Sequence, residues 1–131
     1  MANKIAFDLV SPEKLLLSAQ ADMVTVPGTE GYMGVMAGHA PIVTTLRAGM
    51  IDVNADGRDD RYFIRGGFAE IGPAKITVLA EEAVPMTELD LAVLDQRIKD
   101  AQEDELAAGN DADRLRAAQL VDDLKLVRAA F

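Results

Sequence analysis

The chain has no cysteine. That excludes a disulfide framework, a thiolate zinc site and a cysteine nucleophile, and it is compatible with a reducing compartment. There is a single histidine, His39. Basic residues are scarce: 13 Lys and Arg stand against 22 Asp and Glu, for a net charge of −9. An acidic chain does not recruit phosphate backbones, so nucleic acid and anionic lipid are poor partners. No stretch reaches the ~18 apolar residues of a membrane span, and no basic segment with an apolar core precedes the first strand pattern. The expectation is a soluble protein, or one held to a membrane only through partners. The chain contains no internal repeat and no low-complexity segment.

What is present is ordinary globular material. Its 131 residues, 50% hydrophobic and 27% charged, suffice for one or two small domains. Val26 to Ile51 is the stretch around which the rest is arranged. It sets Gly28, Gly31, Gly34, Gly38 and Gly49, with Pro27 and Pro41, between short apolar runs. Glycine admits positive φ and proline fixes φ, so the stretch reads strand, tight turn, strand, turn, strand. His39 lies in the central turn, Gly38-His39-Ala40-Pro41.

Short strands flank it on both sides. Lys4 to Val10 alternates Ile5, Phe7 and Leu9 with Ala6 and Asp8. Ser11-Pro12 breaks that strand. Lys14 to Ala19 and Ala21 to Val26 follow. Ile42 to Arg47 and Met50 to Asn54 come after the central turn, and residues 54–60 form a polar hairpin tip. Arg61 to Arg65 and Phe68 to Ile71 flank Gly66-Gly67, and after Gly72-Pro73 the run Lys75 to Ala80 closes the set. Short strands at this spacing with turn signals between them predict a β-sandwich or barrel.

Near Pro85 the period changes. Thr87 is a suitable N-cap, with Asp90 completing a box-like start. Leu91, Leu94, Ile98 and Ala101 then mark one stripe of an amphipathic helix. Gly109-Asn110-Asp111 stops it and caps a second helix, whose stripe is Ala117, Leu120, Leu124, Val127 and Phe131. Two such helices predict an antiparallel hairpin over 87–131 after a sandwich over 1–86. The stripes are rich in alanine and bury little, so the hairpin needs support. Residues 1–86 carry 7 basic and 11 acidic residues, net −4; residues 87–131 carry 6 and 11, net −5. Most basic charge of the second part lies on the last helix, as Arg114, Arg116, Lys125 and Arg128. Taken alone, that is a solvated face.

Three constellations invite chemistry and each has a plainer reading. On the residues alone, His39 is a base or metal ligand, or else a turn or contact residue. The lack of cysteine and of a nearby carboxylate cluster favours the second. Asp52-Val53-Asn54-Ala55-Asp56-Gly57 fits the start of a calcium loop, but Phe63 stands where the twelfth-position glutamate belongs. Asp-Gly at a β-hairpin tip is the better reading. Gly28-Thr29-Glu30-Gly31-Tyr32-Met33-Gly34 is glycine-rich, yet no Lys-Ser or Lys-Thr follows and no helix starts there, which excludes a Walker-type phosphate loop. No nucleophile–base pair supports a free-standing enzyme.

Three ordered motifs carry a family resemblance. Gly38-His39-Ala40-Pro41, followed by Leu46 and Gly49-Met50-Ile51, resembles the epsilon subunit of F-type ATP synthases, called delta in mitochondria. Gly66-Gly67-Phe68-Ala69-Glu70 is similar to that family's glycine-pair strand, and Ile76-Thr77-Val78-Leu79-Ala80-Glu81 to its last strand. The likeness runs through most of residues 3–86; from residue 87 on it is one of pattern more than of residues.

The resemblance implies a β plus α protein: an N-terminal β-sandwich of about ten short strands followed by a C-terminal antiparallel two-helix hairpin. It implies a non-catalytic central-stalk (rotor) subunit of the proton-translocating enzyme. The partners it implies are the gamma subunit, the membrane-embedded c-subunit ring, and the catalytic beta and alpha subunits through the hairpin. Direct lipid insertion is not among its contacts. The resemblance puts gamma contact at Gly38, His39, Ala40 and Pro41, and ring contact at Thr29, Glu30, Gly31, Tyr32 and Met33. It makes 87–131 a regulatory arm whose last helix, through Arg114, Arg116, Lys125 and Arg128, restrains ATP hydrolysis. The family's ATP signature opens the first helix as Ile/Leu-Asp-x-x-Arg-Ala. Here Leu89 and Asp90 match, but Val93 and Leu94 replace the arginine and alanine. Valine cannot make an arginine's charge-assisted bonds to phosphate, so at most weak ATP binding is expected and no cofactor. The alternative is an ATP sensor whose hairpin is set mainly by nucleotide. The implied location is the cytoplasmic face of the bacterial inner membrane, peripheral and held by partner subunits.

Overall fold

The computed structural model describes residues 3–131 and divides into two compact units, Met1–Met86 and Thr87–Phe131. The first holds ten strands: β1 Ile5–Val10, β2 Leu15–Ala21, β3 Met23–Gly28, β4 Gly31–Val35, β5 Ile42–Leu46, β6 Gly49–Ala55, β7 Arg58–Ile64, β8 Gly67–Ile71, β9 Lys75–Ala80 and β10 Ala83–Pro85. They run in the order β10-β7-β6-β3-β5-β8-β9-β1-β2, with β4 paired on β3. Every pairing is antiparallel except β1 on β9.

Strand β3 is where the sheet turns over on itself. Its first residues, Met23 to Thr25, pair with β6, while its last residue, Gly28, pairs with Leu46 of β5. One strand thus serves both layers of the sandwich. Strand residues alternate between faces. Ile5, Phe7 and Leu9 of β1 therefore point inward to meet Val24 and Val26 of β3, Ile51 and Val53 of β6, Ile71 of β8, and Ile76 and Val78 of β9. Each large apolar side chain withdrawn from water contributes ~1.5–3 kcal/mol.

Turn chemistry fixes the register. Ala55 pairs with Arg58, so the β6–β7 tip is only Asp56-Gly57, with φ of 53° and 79°. This is the primed two-residue turn that Asp-Gly favours, and the strands run closer to the tip than the polar composition of 54–60 suggests. Beside it, Lys4 Nζ bonds Asp22 at 2.6 Å and Asp56 at 2.7 Å, stitching the tip to the β2–β3 corner. Gly67 is required by crowding as well as conformation. A Cβ there would sit 2.0 Å from the Leu79 carbonyl oxygen of β9.

Three expectations need correction. The sheet does not close at Ala80: β10 adds Ala83↔Ile64, Val84↔Phe63 and Pro85↔Tyr62 to the edge of β7. Three residues ending in proline carry too little periodicity to be read as a strand, and only the tertiary pairing makes them one. Strands β2 and β3 each extend two residues further than their apolar runs, to Ala21 and Gly28. The first helix, α1, runs Leu91–Ala107 and is capped by Asp90, whose carboxylate accepts from Ala92 N at 2.8 Å. Thr87 belongs instead to a 3₁₀ turn, Met86–Glu88.

In the second unit, α2 spans Asp111–Arg128 and is capped by Asn110, which accepts from Asp113 N at 2.8 Å. Asp111 and Asp113 sit in its first turn and Lys125 and Arg128 in its last, each sign favourable to the helix dipole. Buried residues are Leu94 and Ala101 on α1 and Val121, Leu124 and Val127 on α2. The α2 stripe therefore passes through Val121, not Leu120, and Phe131 lies exposed beyond the helix end. Positions 120 and 121 both suit a neighbour at 117 or 124; packing, not spacing, selects between them.

Candidate functional site: the exposed loops and face of the sandwich, and the helical cations

The turn at residues 36–41 is held from below. Gly38 has φ of 90°, and its N–H donates to the Pro73 carbonyl at 2.7 Å. His39 N donates to Met36 O at 3.2 Å. The His39 ring lies with Nδ1 2.7 Å from the Ala40 carbonyl oxygen. A carbonyl only accepts, so Nδ1 carries the proton and Nε2 is turned away from that bond. Among the described residues no group of three or more His, Cys, Asp or Glu is placed to hold a metal ion. The turn presents a shape and a single imidazole edge.

Toward the other end of these strands from the turn runs a row of apolar side chains that reading along the chain does not disclose. Leu15 pairs with Val10, Val10 with Leu79, Leu79 with Phe68, and Phe68 with Thr45. Cross-strand partners share a face, so the row crosses β2, β1, β9, β8 and β5. Leu15, Leu79 and Phe68 are each more than half exposed, as is Val43 on β5. The sequence signal on β9 is a single apolar residue, Leu79, on the outward face that otherwise carries Lys75 and Thr77.

The β3–β4 loop has Thr29 and Glu30 at its tip, between the paired Gly28 and Gly31. Both tip residues are exposed, as are Gly31 and Tyr32, whereas Met33 is partly buried against the core. Arg47 braces the loop: its N–H donates to Pro27 O at 2.8 Å and its Nη1 to Thr29 O at 3.5 Å.

The four cations of α2 stand differently from one another. Arg114 pairs with Asp111 and Arg116 with Asp113, both at 2.8 Å within the helix, while Arg128 reaches Asp95 of α1 at 2.9 Å. Lys125 shows no ion pair among the described residues. Such exposed pairs are worth ~0–1 kcal/mol each, so a stronger anionic partner can displace them. Leu89 is half-buried and Asp90 exposed, with Asp90's carboxylate engaged as the α1 cap. Val93 is also exposed. The structure brings Leu89, Asp90 and Val93 near the start of α1 but supplies no cation among them for a phosphate.

Three carboxyl groups of the sandwich are perturbed. Lys75 and Ser18 hold the Asp8 carboxyl below its ordinary value. Lys4 and the Asp56 N–H do the same for Asp22. Asp52 moves the other way: burial raises it, Asp59 adds to that, and Arg61 opposes it. These groups are structural and lie on neither loop.

Comparison with known proteins accords with this geometry. Residues 4–86 match the family described as ATP synthase, Delta/Epsilon chain, beta-sandwich domain. The ATP synthase epsilon chain of Parvibaculum lavamentivorans is 54% identical over 129 residues, covering 98% of either chain. That of Maricaulis maris is 45% identical over 129 residues, covering 98% of this chain and 97% of its own. Among solved structures, a chain in the Euglena gracilis mitochondrial ATP synthase OSCP/F1/c-ring assembly superposes with a TM-score of 0.79 at 28% identity, over 97% of this chain and 81% of that one. A chain of the Tetrahymena thermophila central stalk/c-ring structure shares the fold, with a TM-score of 0.66 at 14% identity, over 98% of this chain and 96% of that one. Among the described residues no helix is long and apolar enough to cross a membrane. The chain belongs to the delta/epsilon family of ATP synthase subunits, as an epsilon chain.

Proposed function

We propose that this subunit couples the proton-translocating ring to the gamma stalk through its sandwich and restrains ATP hydrolysis through its helical hairpin. The observation that carries the coupling role is the exposed apolar row Leu15, Leu79 and Phe68, with Val43 of β5, the strand that leaves the braced turn Gly38, His39, Ala40 and Pro41. An exposed apolar row on a sheet that also carries a rigid turn suits a large complementary interface, which torque transmission needs. Gamma is the partner assigned to it. The β3–β4 loop, Thr29 to Met33, is assigned to the c ring. Catalysis belongs to other subunits, and this one is peripheral at the cytoplasmic face of the bacterial inner membrane, held there by its partners.

The restraint is assigned to α2. Arg114, Arg116, Lys125 and Arg128 exchange their weak local pairs for acidic groups on the catalytic beta subunits. Four contacts of ~0–1 kcal/mol bias the arm by a few kcal/mol, whereas moving a two-state arm from 1:99 to 99:1 needs ~5.5 kcal/mol. Inhibition is therefore partial and weakens as salt rises. Replacing all four by alanine in the assembled enzyme is expected to raise hydrolysis and leave synthesis nearly unchanged. If hydrolysis is the same in that variant and after deletion of residues 87–131, the arm is structural. For coupling, His39→Ala is expected to weaken gamma binding while the isolated subunit stays folded; an unchanged dissociation constant removes His39 from the interface.

A further inference from the structure

We propose that Tyr32 is a positioning residue for the β3–β4 loop, held by its hydroxyl, and that Glu30 is the group the loop presents to its partner. This rests on the assignment of that loop to the c ring. The argument begins where the sheet changes layer. Strand β3 leaves β6 after Thr25↔Asp52 and joins β5 at Gly28↔Leu46. In between, Pro27 has no N–H to give to a ladder, and β6 begins with Gly49 and Met50 beyond the reach of β3's pairing. A main-chain donor at such a departure needs a substitute partner or water. The Tyr32 hydroxyl supplies it, accepting from Met50 N at 3.1 Å.

The fit depends on a missing side chain. A Cβ on Gly49 would lie 2.6 Å from the Tyr32 hydroxyl oxygen and 3.0 Å from Pro27 Cβ. Gly49 is buried and its φ is not positive, so glycine stands there for room. Tyr32 is thus tied inward at its tip even though part of its ring is exposed. Arg47 holds the opposite flank through Pro27 O and Thr29 O. With both flanks tied, Glu30 projects from the two-residue tip as the one ionised side chain of the segment Pro27 to Val35. Its partner chemistry is a cation or a hydrogen-bond donor on the ring's polar loops.

The test uses the full chain and a solubilised c ring carrying gamma, with three variants: Tyr32→Phe, Gly49→Ala and Glu30→Gln. Tyr32→Phe keeps the aromatic ring and removes only the hydroxyl; Gly49→Ala keeps the tyrosine and displaces it. Both are expected to speed amide exchange at Gly31 to Met33 and at Met50 by about tenfold, the worth of one hydrogen bond. Both are expected to weaken ring binding several-fold with the thermal midpoint little changed. Glu30→Gln is expected to weaken binding and flatten its salt dependence without altering exchange. Adding Tyr32→Phe to Glu30→Gln is expected to cost less than the two effects summed, since the strut acts through Glu30. Unchanged exchange in Tyr32→Phe overturns the strut. Weakened binding in Tyr32→Phe with unchanged exchange makes Tyr32 itself the contact and likewise overturns it. Faster exchange with binding unaltered in all three variants leaves the strut standing and refutes the assignment of this loop to the ring.

Discussion

The two units hold themselves together in different ways. The sandwich is built from pairings between strands far apart in sequence: β1 lies parallel to β9, and Lys4 ties Asp22 to Asp56. Its core has Ile5, Phe7, Leu9, Ile51 and Ile76 fully buried. The hairpin is local. Its helices meet through a short turn, bury five apolar residues between them and carry their own caps. Non-local pairing gives many mutually dependent contacts, so the sandwich opens only as a whole. A hairpin of local contacts opens at lower free energy. That division suits the proposed function, in which one part keeps a shape and the other changes its state.

The largest expected effects test whether the division is real. Phe7→Ala removes a fully buried ring and is expected to destabilise the sandwich by ~3–5 kcal/mol. Leu124→Ala in α2 is expected to cost ~2–3 kcal/mol, confined to the hairpin. Amide exchange reads the difference: Phe7→Ala should expose strands β1 to β9, and Leu124→Ala only α1 and α2. Loss of protection in β1 on changing Leu124 means that the two units unfold as one. Next in size is the sandwich's boundary. A chain ending at Met86 is expected to stay folded by circular dichroism. One ending at Glu82 lacks β10, leaves Tyr62 to Ile64 unpaired along the β7 edge, and is expected to be ~1–3 kcal/mol less stable. Equal stability makes β10 dispensable.

What the sequence discloses follows the same division. Period-2 alternation in β1 and the turn chemistry of Asp56-Gly57 are local, and both read correctly from the chain. The glycine pair reads as a break between two strands, although Gly67 itself is the first residue of β8. That Gly67 is glycine because a Leu79 carbonyl crowds it depends on strand order and does not read. The exposed row through Leu15, Leu79 and Phe68 is hidden for the same reason: its members are neighbours only after five strands pair in register. In the helices the limit is angular. A 3.6-residue period leaves Leu120 and Val121 equally eligible, and only packing resolves them. The tie from Tyr32 to Met50 spans 18 residues and exists because β3 changes partners, a fact with no local signature.

A smaller effect concerns how the hairpin's charges are used. Arg128 links α2 to α1 through Asp95; Arg114 and Arg116 pair within their own helix. Arg128→Ala is expected to loosen the hairpin by ~0.5–1 kcal/mol, and Arg114→Ala by less. Both effects should fade in high salt. Thermal unfolding of the hairpin at low and high ionic strength, followed by exchange of α1 amides, separates them. Equal effects mean that the link across the helices adds nothing beyond the pairs within α2.

The smallest expected effect has a sign that sets carboxylates of the sandwich against each other. Asp52 Oδ1 is buried without a hydrogen-bond partner, and Arg61 approaches the other oxygen only to 3.6 Å. Burial, helped by Asp59, raises this carboxyl above the ordinary 3.8. Folding therefore favours its protonated form. The favourable contribution is fully present below the unfolded value and is lost as pH rises through the raised one. At neutral pH the ionised group is a net cost, offset in part by Arg61. Asp52→Asn should then stabilise the sandwich at neutral pH by about 1 kcal/mol or less, and the gain should vanish below pH 3.8. Asp22 has the opposite sign. Lys4 and the Asp56 N–H lower its carboxyl, so its contribution is present above the unfolded value and is lost as pH falls through the lowered one. Asp22→Asn should destabilise at neutral pH, with the deficit closing in acid. Urea unfolding of the two variants across that range should give difference curves of opposite sign that converge at low pH. If Asp52→Asn destabilises at neutral pH, the Arg61 pair outweighs burial and Asp52 joins Asp22 among the carboxylates that hold the sandwich together.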